Sequence, residues 1–268
     1  MNKCFFSAIK FFESIDSTNS ELLNNEYEDK TLIYTYNQTK GRGRFDRKWI
    51  TFKNKALALS FLLKNNGTEK NRFNLLKNYF IFNMILSITL VEILDKNYKI
   101  KGWIKWPNDI YIEDRKLAGI LTESKFLDKN NFKIVAGIGI NINVEEDQLK
   151  DLDKRVCSIY SETGFKINID DFTNLFINEL SSNLSSFFHQ VDNKPESDSL
   201  KMKIQSIKEK WISYSNIIGK QIMVCNMGKD HENSFLKGKV VDIDDEGFLI
   251  IETEDKKIKL ISGDVSII

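Results

Sequence analysis

Histidine and cysteine are scarce in this chain: two and three residues among 268. His189 and His231 are too few to build a zinc site, because Cys4, Cys157 and Cys225 lie far apart with no Cys-x-x-Cys pair to join them. An odd number of scattered cysteines also argues against a disulfide framework and for a reducing compartment, so a cytoplasmic location is expected. No basic start, apolar core and small-residue cleavage site marks a secretory leader. The most apolar run, residues 79–91, is too short to span a bilayer and contains Asn83, so it reads as a buried helix and no membrane partner is expected. Neither charge dominates: 39 Lys and Arg stand against 38 Asp and Glu. That balance excludes a broad nucleic-acid surface and leaves room only for a local basic site.

What is present is an ordinary globular composition, 41% apolar and 29% charged. The length suits one large domain and a small one. Thr18 and Glu21 have capping-box spacing ahead of Leu22 and Leu23, which predicts a helix start. Residues 31–36 and 56–63 read as strands, and 71–97 as a long helix apolar around much of its circumference. From Gly102 the pattern predicts short strands over 103–106, 109–112, 117–124 and 132–143. Helices follow over 170–189 and 200–214, around a polar segment, 190–199, read as a loop with Pro195. Beyond Gly219 only short alternating strands remain, with a turn signal at Asp244-Asp245-Glu246-Gly247. They predict a small β-barrel, so the chain divides near 215 into units 1–215 and 216–268.

The densest local signal is Gln38-Thr39-Lys40-Gly41-Arg42-Gly43-Arg44-Phe45-Asp46-Arg47-Lys48-Trp49. Alternate glycines discourage helix and strand, arginines suit carboxylate or phosphate, and a terminal Trp offers a stacking surface. Such a run serves equally as a solvated basic turn, a nucleic-acid patch or a loop closing over a small anion. Ser17-Thr18-Asn19 reads as a helix cap whose other side chains are left for a polar ligand head. In Lys105-Trp106-Pro107-Asn108-Asp109 followed by Lys116-Leu117-Ala118-Gly119, a β-hairpin would bring Asp109 beside Lys116. That pair reads as a surface ion pair or as a site where anions meet. Gly137-Ile138-Gly139-Ile140-Asn141 lacks the third glycine of a dinucleotide site, but glycines inside a strand announce a close approach by a ligand or a neighbouring element.

In their order, these segments resemble the biotin protein ligase family. The family pattern runs from Ser-Thr-Asn through Gln and Gly-Arg-Gly-Arg with a downstream Trp, then Lys-Trp-Pro-Asn-Asp, Lys-Leu-Ala-Gly and Gly-x-Gly-x-Asn. The resemblance implies an α+β fold: a mixed-sheet catalytic domain of the class II synthetase-like type, followed by an SH3-like barrel. It implies ATP-dependent activation of biotin to biotinyl-5′-AMP and transfer to a lysine of a biotin carboxyl carrier protein, with Mg²⁺ assisting. Ser17, Thr18, Asn19, Gln38, Arg42, Gly43, Arg44 and Lys116 match its biotin-contacting positions, and Gly119 and Leu121 its ureido-ring pocket. Trp49, Asn141, Lys105 and Asn108 fall on the nucleotide side. Lys116, Arg44 and Asp109 are the expected catalytic groups, and no residue is assigned as a metal ligand.

One departure stands out. Members often have Arg-Gly after Gly-Arg-Gly-Arg, where this chain has Phe45-Asp46. Fewer glycines mean less loop freedom, and Phe45 is placed to cap a closed ligand. The resemblance leaves two alternatives, a lipoate or octanoate ligase of the same fold and a non-catalytic biotin sensor. Some members also carry a DNA-binding domain. About a dozen residues before Phe11 are too few to fold as one, so no DNA partner is expected. A homodimer is compatible with the resemblance.

Overall fold

The computed structural model describes residues 4–66, 79–128, 131–150, 152, 155–193, 198–225 and 235–268. The predicted helix start at 71, Pro195 and His231 lie outside them. Among the described residues no helix is long and apolar enough to cross a membrane.

A seven-stranded sheet carries the site. Its strands are β1 (Ala8–Phe12), β2 (Thr31–Thr35), β5 (Ala56–Asn66), β6 (Gly102–Lys105), β7 (Asp109–Ile112), β8 (Arg115–Phe126) and β9 (Asn131–Asn141), in the order β1-β2-β5-β9-β8-β7-β6. β1 and β2 run parallel and the other neighbours antiparallel. A separate hairpin joins β3 (Gly41–Arg42) to β4 (Lys48–Trp49).

Alternation along the strands separates two faces. On one, Leu57, Leu59, Phe61 and Leu63 of β5 and Ile134, Ala136, Ile138 and Ile140 of β9 enter the main core. Helices α2 (Phe80–Tyr98), α5 (Ile169–Asn193) and α6 (Asp198–Ser215) contribute to that core. α2 touches the sheet, α5 and α6, which is why it is buried on nearly every side. Its Ser87 and Thr89 are tolerated there because each hydroxyl donates to a carbonyl one turn back, at 2.7 Å.

On the other face, Leu62 and Val135 join Leu22, Leu23 and Ile33 in a second, small core under α1 (Thr18–Asn24). Farther along, that face carries mostly small side chains in register. Ser60 pairs with Gly137, which pairs with Leu121; Ala58 pairs with Gly139, which pairs with Gly119. Short side chains leave room above this stretch of sheet, and a cavity opens there.

The C-terminal SH3-like barrel is an antiparallel sheet of β10 (Gln221–Cys225), β11 (Leu236–Ile243), β12 (Leu249–Glu252), β13 (Lys257–Leu260) and β14 (Asp264–Ile267), in the order β13-β12-β11-β10-β14. It docks at two places near the cavity. The buried Trp106 donates its indole N–H to Gly247 O at 3.0 Å. Arg47 grips Asp264 in a forked ion pair, with Nη1 2.9 Å from Oδ1.

Several boundaries differ from expectation. Residues 190–193 continue α5, and Asp198 and Ser199 already belong to α6, so the polar loop is shorter than its composition suggested. The first cap is Ser17, whose hydroxyl accepts from Ser20 N at 3.4 Å, and Thr18 is thereby released for other bonds. Strands β1 and β14 and the short helices α3 (Glu146–Lys150) and α4 (Ile159–Thr163) were not anticipated.

Candidate active site

A cavity of about 900 Å³ lies over the small-residue stretch of the sheet. Every site residue named from the sequence lines it. α1 closes one end, the β3–β4 hairpin and residues 105–109 form the sides, and residues 263–266 of the barrel complete the rim.

The end under α1 is polar and buried. Thr18 N donates to Gln38 Oε1 at 2.9 Å, and the Thr18 and Ser60 hydroxyls lie 2.7 Å apart. Ser60 donates to Asn19 Oδ1 at 2.6 Å, while Asn19 Nδ2 donates to Leu121 O at 3.0 Å and Glu123 Oε2 at 2.9 Å. Gly137 lies beneath this cluster. A Cβ there would come within 2.1 Å of Asn19 Oδ1 and 2.6 Å of Ser60 Oγ. Gly139 plays the same part for Trp49, whose ring would meet a Cβ at 2.4 Å. The close approach announced by Gly-x-Gly is therefore made by two parts of the protein's own wall.

The opposite end gathers cations. Lys116 Nζ lies 2.6 Å from Asp109 Oδ1 and 5.6 Å from the centre of the Trp49 ring. A bulge between β7 and β8 sets this pair, since the ladder itself places Lys116 opposite Tyr111 and Asp109 opposite Gly119. The ammonium is off the line of a well-formed hydrogen bond, so the buried Oδ1 keeps no aligned donor. Arg44 Nη1 donates to Asn108 Oδ1 at 3.2 Å, and Asn108 is oriented by donating Nδ2 to Ile120 O at 2.6 Å. Burial lowers the pKa of Arg44 and of Lys105, opposed in each by the charge of Asp109. Desolvated cations of this kind gain most when an anion arrives. Asn141 donates Nδ2 to Cys157 O at 3.1 Å, which ties the end of β9 to the segment before α4.

Arg42 lines the cavity, and its guanidinium bonds Glu123 Oε2 at 2.8 Å and Ser20 Oγ at 3.1 Å. It clamps the hairpin to α1 and β8. Phe45 does not cap the cavity; its ring lies 4.8 Å from the Arg44 guanidinium and 5.6 Å from that of Arg47. The turn it occupies is nonetheless ordered, closed by Gly43 N to Arg47 O at 2.7 Å and Arg47 N to Arg44 O at 3.2 Å. Phe45 and Asp46 stand at φ 55° and 56°, a conformation that suits Asn-Gly and strains a bulky residue. Asp46→Gly should therefore tighten the turn: native-state hydrogen exchange at the Gly43 and Arg47 amides is expected to slow by about threefold, from relief of under about 1 kcal/mol. Unchanged or faster exchange at both amides would count against that account.

Sequence reading missed four residues that shape the site: Ser60, Glu123, Arg47 and Asp264. Ser60 left a trace, a lone hydroxyl inside an apolar strand.

Known proteins match at every level. The Biotin/lipoate A/B protein ligase family pattern matches residues 11–141, and the Biotin protein ligase C terminal domain pattern matches 217–267. A bifunctional ligase/repressor BirA from Bacillus spizizenii is 29% identical over 255 residues, 95% of this chain and 71% of that protein. A biotin–[acetyl-CoA-carboxylase] ligase from Paracoccus denitrificans is 24% identical, across 88% of this chain and 90% of its own. The biotin protein ligase of Aquifex aeolicus, solved in complex with biotin and ATP, superposes with a TM-score of 0.70 at 27% identity, covering 97% of this chain and 98% of that one. With motifs, fold and both patterns in agreement, the chain belongs to the biotin protein ligase family.

Proposed function

We propose that this protein activates biotin with ATP to biotinyl-5′-AMP and passes the biotinyl group to a lysine of a biotin carboxyl carrier protein. One observation carries the reading. A buried polar end and a cationic end share one cavity, with Lys116 and Asp109 2.6 Å apart at the cationic end. The relative solved with biotin and ATP supports the pairing of ligands. In this reading residues 1–215 form the catalytic domain and 216–268 the barrel, and the reaction runs in the cytoplasm, where free cysteines such as the buried Cys157 stay reduced.

The biotin head belongs under α1, against Ser17, Thr18, Asn19 and Gln38, with Gly43, Gly119 and Leu121 along its length. Its carboxylate then reaches Lys116 and Arg44. A carboxylate oxygen attacks the α-phosphorus, and pyrophosphate leaves with the electron pair of the broken P–O bond. Two anions must approach, and Lys116 and Arg44 lower that repulsion and hold the charge of the pentavalent phosphorus. Trp49 packs beside adenine, while Lys105, Asn108 and Asn141 face the nucleotide. Among the described residues no cluster of three metal-binding side chains exists. Mg²⁺ commonly takes one or two carboxylates and completes its shell with phosphate and water. Asp109 lines the cationic end of the cavity and is the carboxylate that would hold the ion. When bound, the ion would neutralise phosphate charge.

In the second step the carrier lysine amine attacks the acyl carbon, AMP departs and the nitrogen loses a proton. No enzyme nucleophile is needed. The ordered hairpin over the cavity would keep water from the mixed anhydride. The test is pyrophosphate release from the purified protein with Mg-ATP and either biotin or lipoate, followed by labelling of a carrier domain. Release with biotin alone is expected. Release with lipoate alone, or with neither, would refute the reading.

A further inference from the structure

The polar end of the cavity contains a hydrogen-bond chain whose direction follows from the acceptors at its Asn19 end. Asn19 faces two pure acceptors, the Leu121 carbonyl at 3.0 Å and the Glu123 carboxylate at 2.9 Å, so its nitrogen must point at them. Its oxygen is then turned to Ser60, which gives up its single hydroxyl proton at 2.6 Å. Ser60 is left as acceptor toward Thr18, so across their 2.7 Å contact Thr18 must donate. The 3.2 Å approach of Thr18 Oγ1 to Gln38 Oε1 is the weaker claim on that proton, and this oxygen already accepts from Thr18 N at 2.9 Å. Thr18 Oγ1 therefore offers lone pairs, and Gln38, with its oxygen engaged by the backbone, offers N–H. The cavity end presents an acceptor beside a donor, the complement of a urea- or lactam-type edge with N–H next to C=O.

Glu123 lies at the head of this chain, on β8, outside the cavity lining. We propose that Glu123 is a positioning residue that sets the direction of the Asn19–Ser60–Thr18 chain and thereby tunes the cavity to a ligand head carrying N–H beside C=O. The inference rests on the biotin reading above. It gives Glu123 a part distinct from its ion pair with Arg42, although the same oxygen, Oε2, serves both. Without the carboxylate, Asn19 keeps only the Leu121 carbonyl as anchor, its amide can turn, and Ser60 and Thr18 lose their assigned roles.

Biotin binding, measured by calorimetry without ATP, separates the two parts. Glu123→Leu is expected to weaken binding by about 30-fold, the scale of a buried polar group left unsatisfied. Glu123→Gln keeps an acceptor for Asn19 but loses the charge for Arg42, and should stay within about threefold of wild type if the chain is what matters. Ser60→Ala should weaken binding like Glu123→Leu, and the double variant should be little worse than either, because both break one chain. Glu123→Gln as weak as Glu123→Leu would assign the effect to the Arg42 clamp and overturn the inference. Equal binding by Glu123→Leu and wild type, or fully additive losses in the double variant, would do the same. Should Glu123→Leu fail to fold, Glu123→Gln alone decides: a loss above about tenfold overturns the proposal. Wild-type protein that takes up no biotin would instead refute the underlying reading, and the inference with it.

Discussion

Lys116→Ala is expected to slow biotinyl-adenylate formation by about a thousandfold while weakening biotin binding by less than about tenfold. The asymmetry follows from where the ammonium sits. At 2.6 Å from Asp109 Oδ1 it is already charge-compensated in the resting protein, so a ground-state carboxylate adds little. Charge at the α-phosphate grows only as the new P–O bond forms, and a fixed cation stabilises that change without reorganising. Gly119 keeps the position open: a Cβ there would lie 3.2 Å from Lys116 Nζ and 3.1 Å from the Trp49 ring. Single-turnover pyrophosphate release and calorimetry separate the two effects. Equal losses in both would make Lys116 a binding contact and remove it from the chemistry.

Gly137→Ala is expected to cost about 100-fold in biotin affinity, roughly the loss of two buried hydrogen bonds. One methyl group has this effect because of what rests on the glycine. The added carbon would fall 2.1 Å from Asn19 Oδ1 and 2.6 Å from Ser60 Oγ, far inside contact distance, so both side chains must move. Neither has an alternative seat: Asn19 is 5% exposed and Ser60 is fully buried. Ala136→Gly, on the opposite face of the same strand, is the control. It also perturbs β9 but leaves the polar end alone, so it should lower the melting temperature without comparable loss of affinity. Gly137→Ala protein that binds biotin as tightly as wild type would sink the argument.

How much was legible in the amino-acid sequence depended on distance along the chain. The Lys116–Asp109 pair could be read because a hairpin a few residues long joins the two. The barrel could be read from alternation, although β14 could not, since residues 264–267 resemble the end of an unstructured tail. The Gly-x-Gly of β9 declared a close approach but not what approaches, because Asn19 and Trp49 arrive from segments about a hundred residues earlier. Glu123 gave no signal at all. A carboxylate near the exposed end of a strand looks like ordinary surface, and only the fold brings it to Asn19 and Arg42. The charge of Arg42 is visible in the sequence, but its partner Glu123 is not, for the same reason. The grip of Arg47 on Asp264 spans 217 positions and lies beyond any local pattern.

The row of short side chains at Ala58, Ser60, Gly119, Gly137 and Gly139 has a consequence for the protein as a solid object. Elsewhere on that face the sheet is covered by Leu22 and Leu23 of α1, packed on Ile33, Leu62 and Val135. Over the row only Asn19 and the Trp49 ring reach the sheet, and a bound molecule would fill the cavity between them. A guest there would act as interior filling, contributing apolar contact that the polypeptide leaves out. The folded state then depends on occupancy: at a free ligand concentration 100 times its dissociation constant, binding adds about 2.7 kcal/mol of stability. Heat resistance and resistance to proteolysis become readings of supply, and a cell short of the small molecule would hold this protein in its softest form.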